Sequence, residues 1–398
     1  MNVLFVATRS PWPSADGGRV LMARTLDALR SSGHTVTVVA PTLEAPHPAL
    51  TPDGSWLHIR LVPVGVRSRA SSLARAVLPR TPGSVLRHHH PEVAAVVSDL
   101  LDREVFDLVH VEQLHALTHV DPSATGGVPV LLRAENVESD LWRQTAASRW
   151  WRRPAAWEAR RLARFERDAM RRVAVTVALT EPDAARLRGL SPGSRVDVVR
   201  APMPAELPPG TRTLDGAPAI ALLSSRWFPN RDGAAWFLRH IWPEVAASLP
   251  GARLHVFGHP HPGVAGVGVV AHPAPPEQDD ASVVFARGSI FVVPLGIASG
   301  VRMRILEAWA RGIPVVATPA AAAGLDVHEP CAVSIARTPA EFTRAFRALS
   351  ASQSAVDQAV AAGRAVLRNH HDPSRLALDL DRIYRAAVAQ PRSAVKPS

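Results

Sequence analysis

At 398 residues the chain exceeds the roughly 250 at which a single core stops growing, so two domains are expected. Its formal charge of +10 rests almost wholly on arginine, with Lys396 the one lysine; part of that bias reflects coding DNA rich in Ala, Arg and Pro codons, and the charge is only weak evidence for nucleic acid, a membrane surface or phosphorylated ligands. One cysteine, Cys331, excludes an internal disulfide and a thiolate zinc site, and no apolar run approaches the roughly 18 residues of a membrane span. The opening MNVLFVATRSPWPS lacks the basic start of a signal peptide, so a cytoplasmic protein, soluble or peripheral on the inner face of a membrane, is expected.

In chain order, runs rich in Val, Leu and Ile read as buried strands at 2–7, 35–40, 57–62, 107–111, 129–134 and 174–179. Segments of helical period at 19–31, 92–103 and 155–172 separate them, and strand-helix-strand alternation implies a parallel sheet covered on both faces. The loop TRSPWPSADGGRV, 8–20, places Gly17 and Gly18 before a helix, where a backbone can approach an anion and the helix end offers free amides. It lacks the dinucleotide glycine spacing and a Walker lysine, and a plain strand-to-helix turn explains it equally well. The histidines at 88–90 read as a surface cluster, not a metal site. Between 148 and 172 a basic stretch with three tryptophans fits either an interfacial helix on anionic lipid or an ordinary solvated helix.

Residues 199–218, dense in Pro and Gly, read as a linker, and alternation then restarts with strands at 219–224, 253–258, 267–271, 289–294, 313–318 and 332–336. Two doubly wound sheets imply a cleft, with ligands beyond the carboxyl ends of the strands. In SSRWFPNRDGAAWF, 224–237, Arg226 and Arg231 bracket a turn at Pro229 and Asn230, and Asp232 reads as the N-cap of the next helix. Paired guanidiniums beside a helix start suit a diphosphate; surface arginines in an arginine-rich chain are the equal alternative. In GIASGVRMRILEAWARG, 296–312, a helix ending at Gly312 is expected, with Ser299 and Gly300 at its start. Gly300, Arg304, Glu307 and Arg311 would share one face, and Val301, Ile305, Ala308 and Trp309 the apolar one. Glu307 is then either a partner of Arg304, worth a few tenths of a kcal/mol, or an acceptor for ribose or sugar hydroxyls.

These pieces in this order, with GHTVTVVA, LLRAENVESDLWRQ, ALTEPDAARL and SGVRMRILEAWARGIPVVAT, resemble the retaining GT-B glycosyltransferases of the family 4 type nearly end to end. The resemblance implies two Rossmann-like domains facing each other across a cleft: 1–200 on the acceptor side, a linker at 201–217, a nucleotide-sugar domain at 218–371, a C-terminal helix at 372–390 crossing back, and a disordered tail at 391–398. It implies that Glu307 meets the nucleotide ribose, that Arg226 holds the donor diphosphate with Arg231 or Arg304 in place of the usual lysine, and that Gly17 and Gly18 face the diphosphate and acceptor. Ser299 stands where relatives carry a first glutamate that contacts the transferred sugar. Glu112 falls where many relatives place a histidine near the reacting sugar, with His110 and His115 as neighbours.

The resemblance further implies sugar transfer from a nucleoside diphosphate to a saccharide, lipid-linked or small-molecule acceptor, with retention by front-face attack. No cofactor is expected and no metal, because no Asp-x-Asp motif is present and arginines, amides and helix ends can neutralise the leaving diphosphate. An epimerase of the same architecture would turn over donor without acceptor. A catalytically silent nucleotide-binding partner is the non-enzymatic alternative; nucleic-acid binding is not expected, since no such motif appears.

Overall fold

The computed structural model describes residues 1–14, 16–43, 55–65, 81–148, 152–225, 227–258, 266–272, 284–325 and 331–389. The chain divides into two compact units, Met1–Pro13 with Met22–Arg200 and Ser374–Ser398, and Ser14–Leu21 with Ala201–Pro373.

The first unit contains β1 (Asn2–Val6), α1 (Gly17–Ser31, its first turn counted with the second unit), β2 (Thr35–Thr42), β3 (Leu57–Pro63), α2 (Gly83–Leu86) and α3 (Pro91–Arg103). It continues with β4 (Leu108–Glu112), a 3-10 turn (Leu114–His119), β5 (Val130–Ala134), α4 (Glu138–Ser148), α5 (Arg152–Arg172), β6 (Val175–Ala178), α6 (Glu181–Leu190) and β7 (Val196–Val198). The sheet is parallel, in the order β3-β2-β1-β4-β5-β6-β7, so the strand order reverses between β1 and β4. Alternation along β1 makes two cores. Val3 and Phe5 face α1, while Leu4 and Val6 face Val93 and Val97 of α3 and Leu162 of α5. β7 is too short to stand out in the sequence, where RVDVV runs straight into the Pro-rich segment.

In the second unit β8 (Ala219–Ser224), α7 (Phe228–Trp236), a π-helical turn (Phe237–Ile241), α8 (Trp242–Ser248), β9 (Arg253–Gly258), β10 (Val269–His272) and β11 (Ile290–Val293) follow one another. Then come α9 (Met303–Ala310), β12 (Val315–Ala317), α10 (Pro319–Ala322), β13 (Ser334–Ile335), α11 (Pro339–Ala351) and α12 (Gln353–His370). This sheet is also parallel, ordered β10-β9-β8-β11-β12-β13, with its reversal between β8 and β11. The last helix, α13 (Pro373–Val388), buries Leu376, Leu380, Ile383 and Tyr384 in the first unit's core beside Phe5 and Leu26. The Pro-rich segment is tied down within the second unit: Met203 N–H donates to His371 O at 2.9 Å and Leu207 N–H to Ala310 O at 2.9 Å.

Candidate functional site

In doubly wound sheets the crevice at the strand-order reversal is where ligands bind, so the loops after β8 and β11, and after β1 and β4, are the places to examine. Around β8 and β11 two glycines let backbones meet. A Cβ on Gly258, at φ +104, would lie 2.0 Å from Ser224 O, and one on Gly233 of α7 would lie 2.4 Å from Pro294 O. The loop after β11 is pinned by Thr318, whose hydroxyl donates to Leu295 O at 2.6 Å. α7 begins at Phe228 with Trp227 at its N-cap, because Pro229 fits the first turn and Ser225 Oγ accepts from Asn230 Nδ2 at 2.8 Å. Asp232 is therefore inside the helix and not its cap, and Arg231 is an exposed helical residue and not part of a turn. Arg226 lies outside the described residues.

α9 starts at Met303, so Ser299 and Gly300 sit in the turn before it and not on its first turn; Gly300 adopts φ +69, a left-handed conformation that glycine takes at no steric cost. Gly312 at φ +76 stops the helix, with Ile313 N–H reaching back to Ala308 O at 2.8 Å. The apolar face, Ile305, Ala308 and Trp309, is fully buried. Only Arg304, Glu307 and the C-cap Arg311 of the expected polar face are on the helix. Arg304 Nη1 donates to Glu307 Oε2 at 2.5 Å, and Arg311 Nε to Oε1 at 3.2 Å. Arg311 Nη1 also reaches Pro208 O at 2.7 Å, and both guanidiniums lie about the Phe285 ring, at 6.0 and 5.9 Å. One carboxylate, 5% exposed, thus holds two arginines. Arg302 adds a third guanidinium, 5.6 Å from the Trp227 ring, which ties the loop after β11 to the start of α7.

Gly17 rests against the start of α9, where its Cβ would lie 3.3 Å from Met303 Cβ. The amides expected to be free at this end of α1 are partly taken: Asp16 Oδ1 accepts from Gly18 N–H at 3.0 Å and Arg19 N–H at 3.1 Å.

At the end of β4 in the first unit, His110 and Glu112 are fully buried and bonded to each other, Nε2 to Oε2, at 3.0 Å. His110 stacks on Phe5 with centroids 4.6 Å apart, and its Nδ1 is hydrogen-bonded to the Tyr384 hydroxyl. Arg133 Nε lies 3.7 Å from Glu112 Oε1, and its Nη1 bonds Thr25 Oγ1 of α1. Burial holds the His110 imidazole well below its usual range, with Arg133 adding repulsion. Burial also pushes up the Glu112 carboxyl, and it pushes Glu135 to about 8 with the help of the neighbouring Glu112 charge. What β4 presents at its end is Gln113, at φ +70 the one non-glycine with positive φ among the described residues. Its amide is fixed on both sides: Nε2 donates to Glu135 Oε2 at 2.8 Å, and Oε1 accepts from Thr8 Oγ1 at 2.7 Å. Thr8, Gln113 and Glu135 follow the neighbouring strands β1, β4 and β5, so they form one polar rim beside the strand-order reversal.

His115 is buried in the 3-10 turn and packs on His88, centroids 4.7 Å apart. The 88–90 histidines are half-buried and not a surface cluster. His89 Nδ1 meets Thr118 O at 3.0 Å, and His90 N–H donates to His119 Nε2 at 3.1 Å.

Comparison with known proteins finds two family models: Glycosyltransferase Family 4 over residues 15–206 and Glycosyl transferases group 1 over residues 218–352. The chain belongs to the group 1 glycosyltransferases. Its GT-B fold is shared with sucrose-phosphate synthase of Thermosynechococcus elongatus (TM-score 0.74, 14% identity, covering 98% of this chain and 99% of that one). It is shared too with Anabaena Alr3699/HepE in complex with UDP-glucose (0.64, 12%, 97% and 100%) and with the catalytic domain of Arabidopsis thaliana starch synthase IV bound to ADP and acarbose (0.63, 11%, 98% and 100%). No curated protein matches the chain.

In this glycosyltransferase the folded chain thus brings Arg304, Glu307 and Arg311 together with Ser299 and Gly300 close by in sequence, and pairs His110 with Glu112. Sequence reasoning counted Arg302 among the three arginines of its stretch without giving it a role, and it missed Phe285, which nothing in its local pattern marks, and Gln113, whose positive φ has no residue-type signal. Glu135 and Tyr384 also went unread. The first lies inside the quoted stretch LLRAENVESDLWRQ, and the second is the chain's one tyrosine, a rarity that could have flagged it.

Proposed function

We propose that this glycosyltransferase takes its sugar from a nucleoside diphosphate donor held by the second unit and transfers it with retention of configuration, using no metal. The observation that supports this most is the Arg304–Glu307–Arg311 cluster at the strand-order reversal, with Arg302 on the adjoining loop. Each Glu307 oxygen has a lone pair left after its arginine, so the carboxylate can accept from a ribose hydroxyl pair. The arginines, joined by Arg226 and Arg231, neutralise the diphosphate as the anomeric bond breaks, with Ser299, Gly300, Gly17 and Gly18 lining its approach. Glu112 and His110 serve the sugar-transfer step from beneath the rim of Gln113 and Glu135. The leaving phosphate oxygen takes the acceptor proton, so no dedicated base is required. Incubation with a panel of nucleotide sugars, reading nucleoside diphosphate release with and without acceptor, tests this; conversion of the donor to an isomeric nucleotide sugar without acceptor and without diphosphate release would favour an epimerase. Transfer should survive excess EDTA. Activity abolished by chelator and restored by Mg²⁺ or Mn²⁺ would contradict it.

A peripheral place on an anionic membrane is favoured by α5. Arg153, Trp157, Arg160, Arg164 and Arg171 are exposed at helical spacing along one stripe, Trp157 at 52%. Trp150 and Trp151 lie outside the described residues, and no helix among those described is long and apolar enough to cross a membrane. Co-sedimentation with phosphatidylglycerol-containing vesicles, lost with Arg160→Glu/Arg164→Glu and absent with pure phosphatidylcholine, is the expected result; equal binding to both would refute it.

A further inference from the structure

We infer that Tyr384 is a positioning residue of the first unit: through His110 it orients the Glu112 carboxylate behind Gln113. This rests on the proposal that Glu112 and His110 serve the sugar-transfer step. The three groups form one line, Tyr384 hydroxyl to His110 Nδ1 and His110 Nε2 to Glu112 Oε2, with tyrosine and histidine 274 residues apart in the chain. All three side chains are fully buried, and the Phe5 ring stacked on the imidazole holds its plane.

A neutral imidazole has one N–H donor and one bare nitrogen acceptor, so its two contacts cannot be set independently. When Glu112 is ionised, Nε2–H donates to it and the phenol O–H donates to Nδ1. When Glu112 is protonated, its O–H donates to Nε2 and Nδ1–H donates to the phenol oxygen. The tyrosine hydroxyl satisfies both states by rotating, whereas a phenylalanine satisfies neither. A donor on Nδ1 also makes Nε2–H the stronger donor, which favours the ionised carboxylate.

The surrounding charges come from four elements. Arg133 of β5 lies against Glu112, Glu135 at the end of β5 lies beyond it, and Arg9 after β1 faces Glu135. On the helix side, His34 packs on Tyr384 with ring centroids 5.6 Å apart and is 3.0 Å from Asp381, which Arg385 also contacts at 2.8 Å. Gln113, the residue after Glu112, keeps its strained φ only because neighbours over-determine it. The end of α13 is therefore part of what shapes the rim, although it lies far off in sequence.

The test is Tyr384→Phe, which keeps the ring and removes the hydroxyl. With an active nucleotide sugar, kcat should fall about tenfold, the scale of an outer contact that orients a functional histidine. The acid limb of the pH–rate profile should move to higher pH, while UDP, ADP or GDP affinity stays within about twofold. A lowered Tm with an unmoved acid limb would reduce Tyr384 to a packing residue and overturn the inference. A second measurement needs neither turnover nor a folded variant of Tyr384. With ¹³Cζ-tyrosine the wild-type chain gives a single label, whose shift between pH 5 and 9 should follow the Glu112 proton and be lost in Glu112→Gln. A flat response in the wild type refutes the relay. A normal response in a protein that turns over no nucleotide sugar refutes the assignment of the site instead, and with it the catalytic part of the role.

Discussion

The two sheets end in opposite kinds of chemistry. Beyond β1, β4 and β5 the first unit gathers groups whose charge is buried and negotiable, namely His110, Glu112 and Glu135, with a phenol behind them. Beyond β8 and β11 the second unit gathers guanidiniums, whose charge is fixed at any working pH, around one carboxylate. The difference teaches which variable should reach which unit: protons act on the first, added ions on the second.

Breaking the second cluster should have the largest effect. Glu307→Ala takes from Arg304 and Arg311, side by side and mostly buried, the carboxylate they share, a loss expected to cost roughly 3–5 kcal/mol of stability, read as a fall in urea midpoint. A loss under about 1 kcal/mol would mean that the arginines are as well served by water, and the contrast with the first unit would weaken.

Next in size is the pH response of the first unit. Glu135 is held up at about 8 when folded, against 4.5 for a free glutamic acid, so its stabilising contribution is present below pH 4.5 and is lost as pH rises through 8. Glu135→Gln should remove that dependence, on the order of 1–2 kcal/mol between pH 5 and 9 after allowing for its partial exposure and shared proton. The Tm of wild type and variant across that range is the measurement; parallel curves would show that Glu135 is ionised throughout. The histidines act on the other side. Burial holds His88 down at about 2, so its contribution is present above 6.5 and is lost as pH falls toward 2.

The smallest effect is that of salt. UDP affinity should fall severalfold between about 50 and 500 mM NaCl, because screening weakens an arginine-lined site's hold on an anion, while the Glu135 pH response stays in place. Isothermal titration at the two ionic strengths reads it, and salt-insensitive binding would place the nucleotide away from the arginines.

Parallel sheets are among the most legible of folds, since strands buried on both faces are written as unbroken apolar runs such as NVLFV and IFVV. The strand β7, three residues long, carries too little signal. Within the site, legibility stopped where partners are distant in sequence. The Arg304–Glu307 pair is an i, i+3 neighbour and was readable, whereas Phe285 and Pro208 at the same cluster were not. Glu112 was singled out only through the family resemblance, and its burial, its histidine and the tyrosine of α13 depend on how β4 is covered. The start of α9 was placed too early because a Ser-Gly pair before a helical run looks like a cap, while the backbone spends two more residues turning.

The central claim, that the second unit's arginine-held carboxylate receives the nucleotide, is tested most directly by binding of UDP, ADP and GDP to wild type, Glu307→Gln and Glu135→Gln. Whichever nucleotide binds the wild type should bind Glu307→Gln more weakly by about 1–3 kcal/mol, the scale of a lost charge-assisted hydrogen bond, and Glu135→Gln unchanged. Equal affinity for all three proteins would return Glu307 to the role of arginine partner alone and contradict the account.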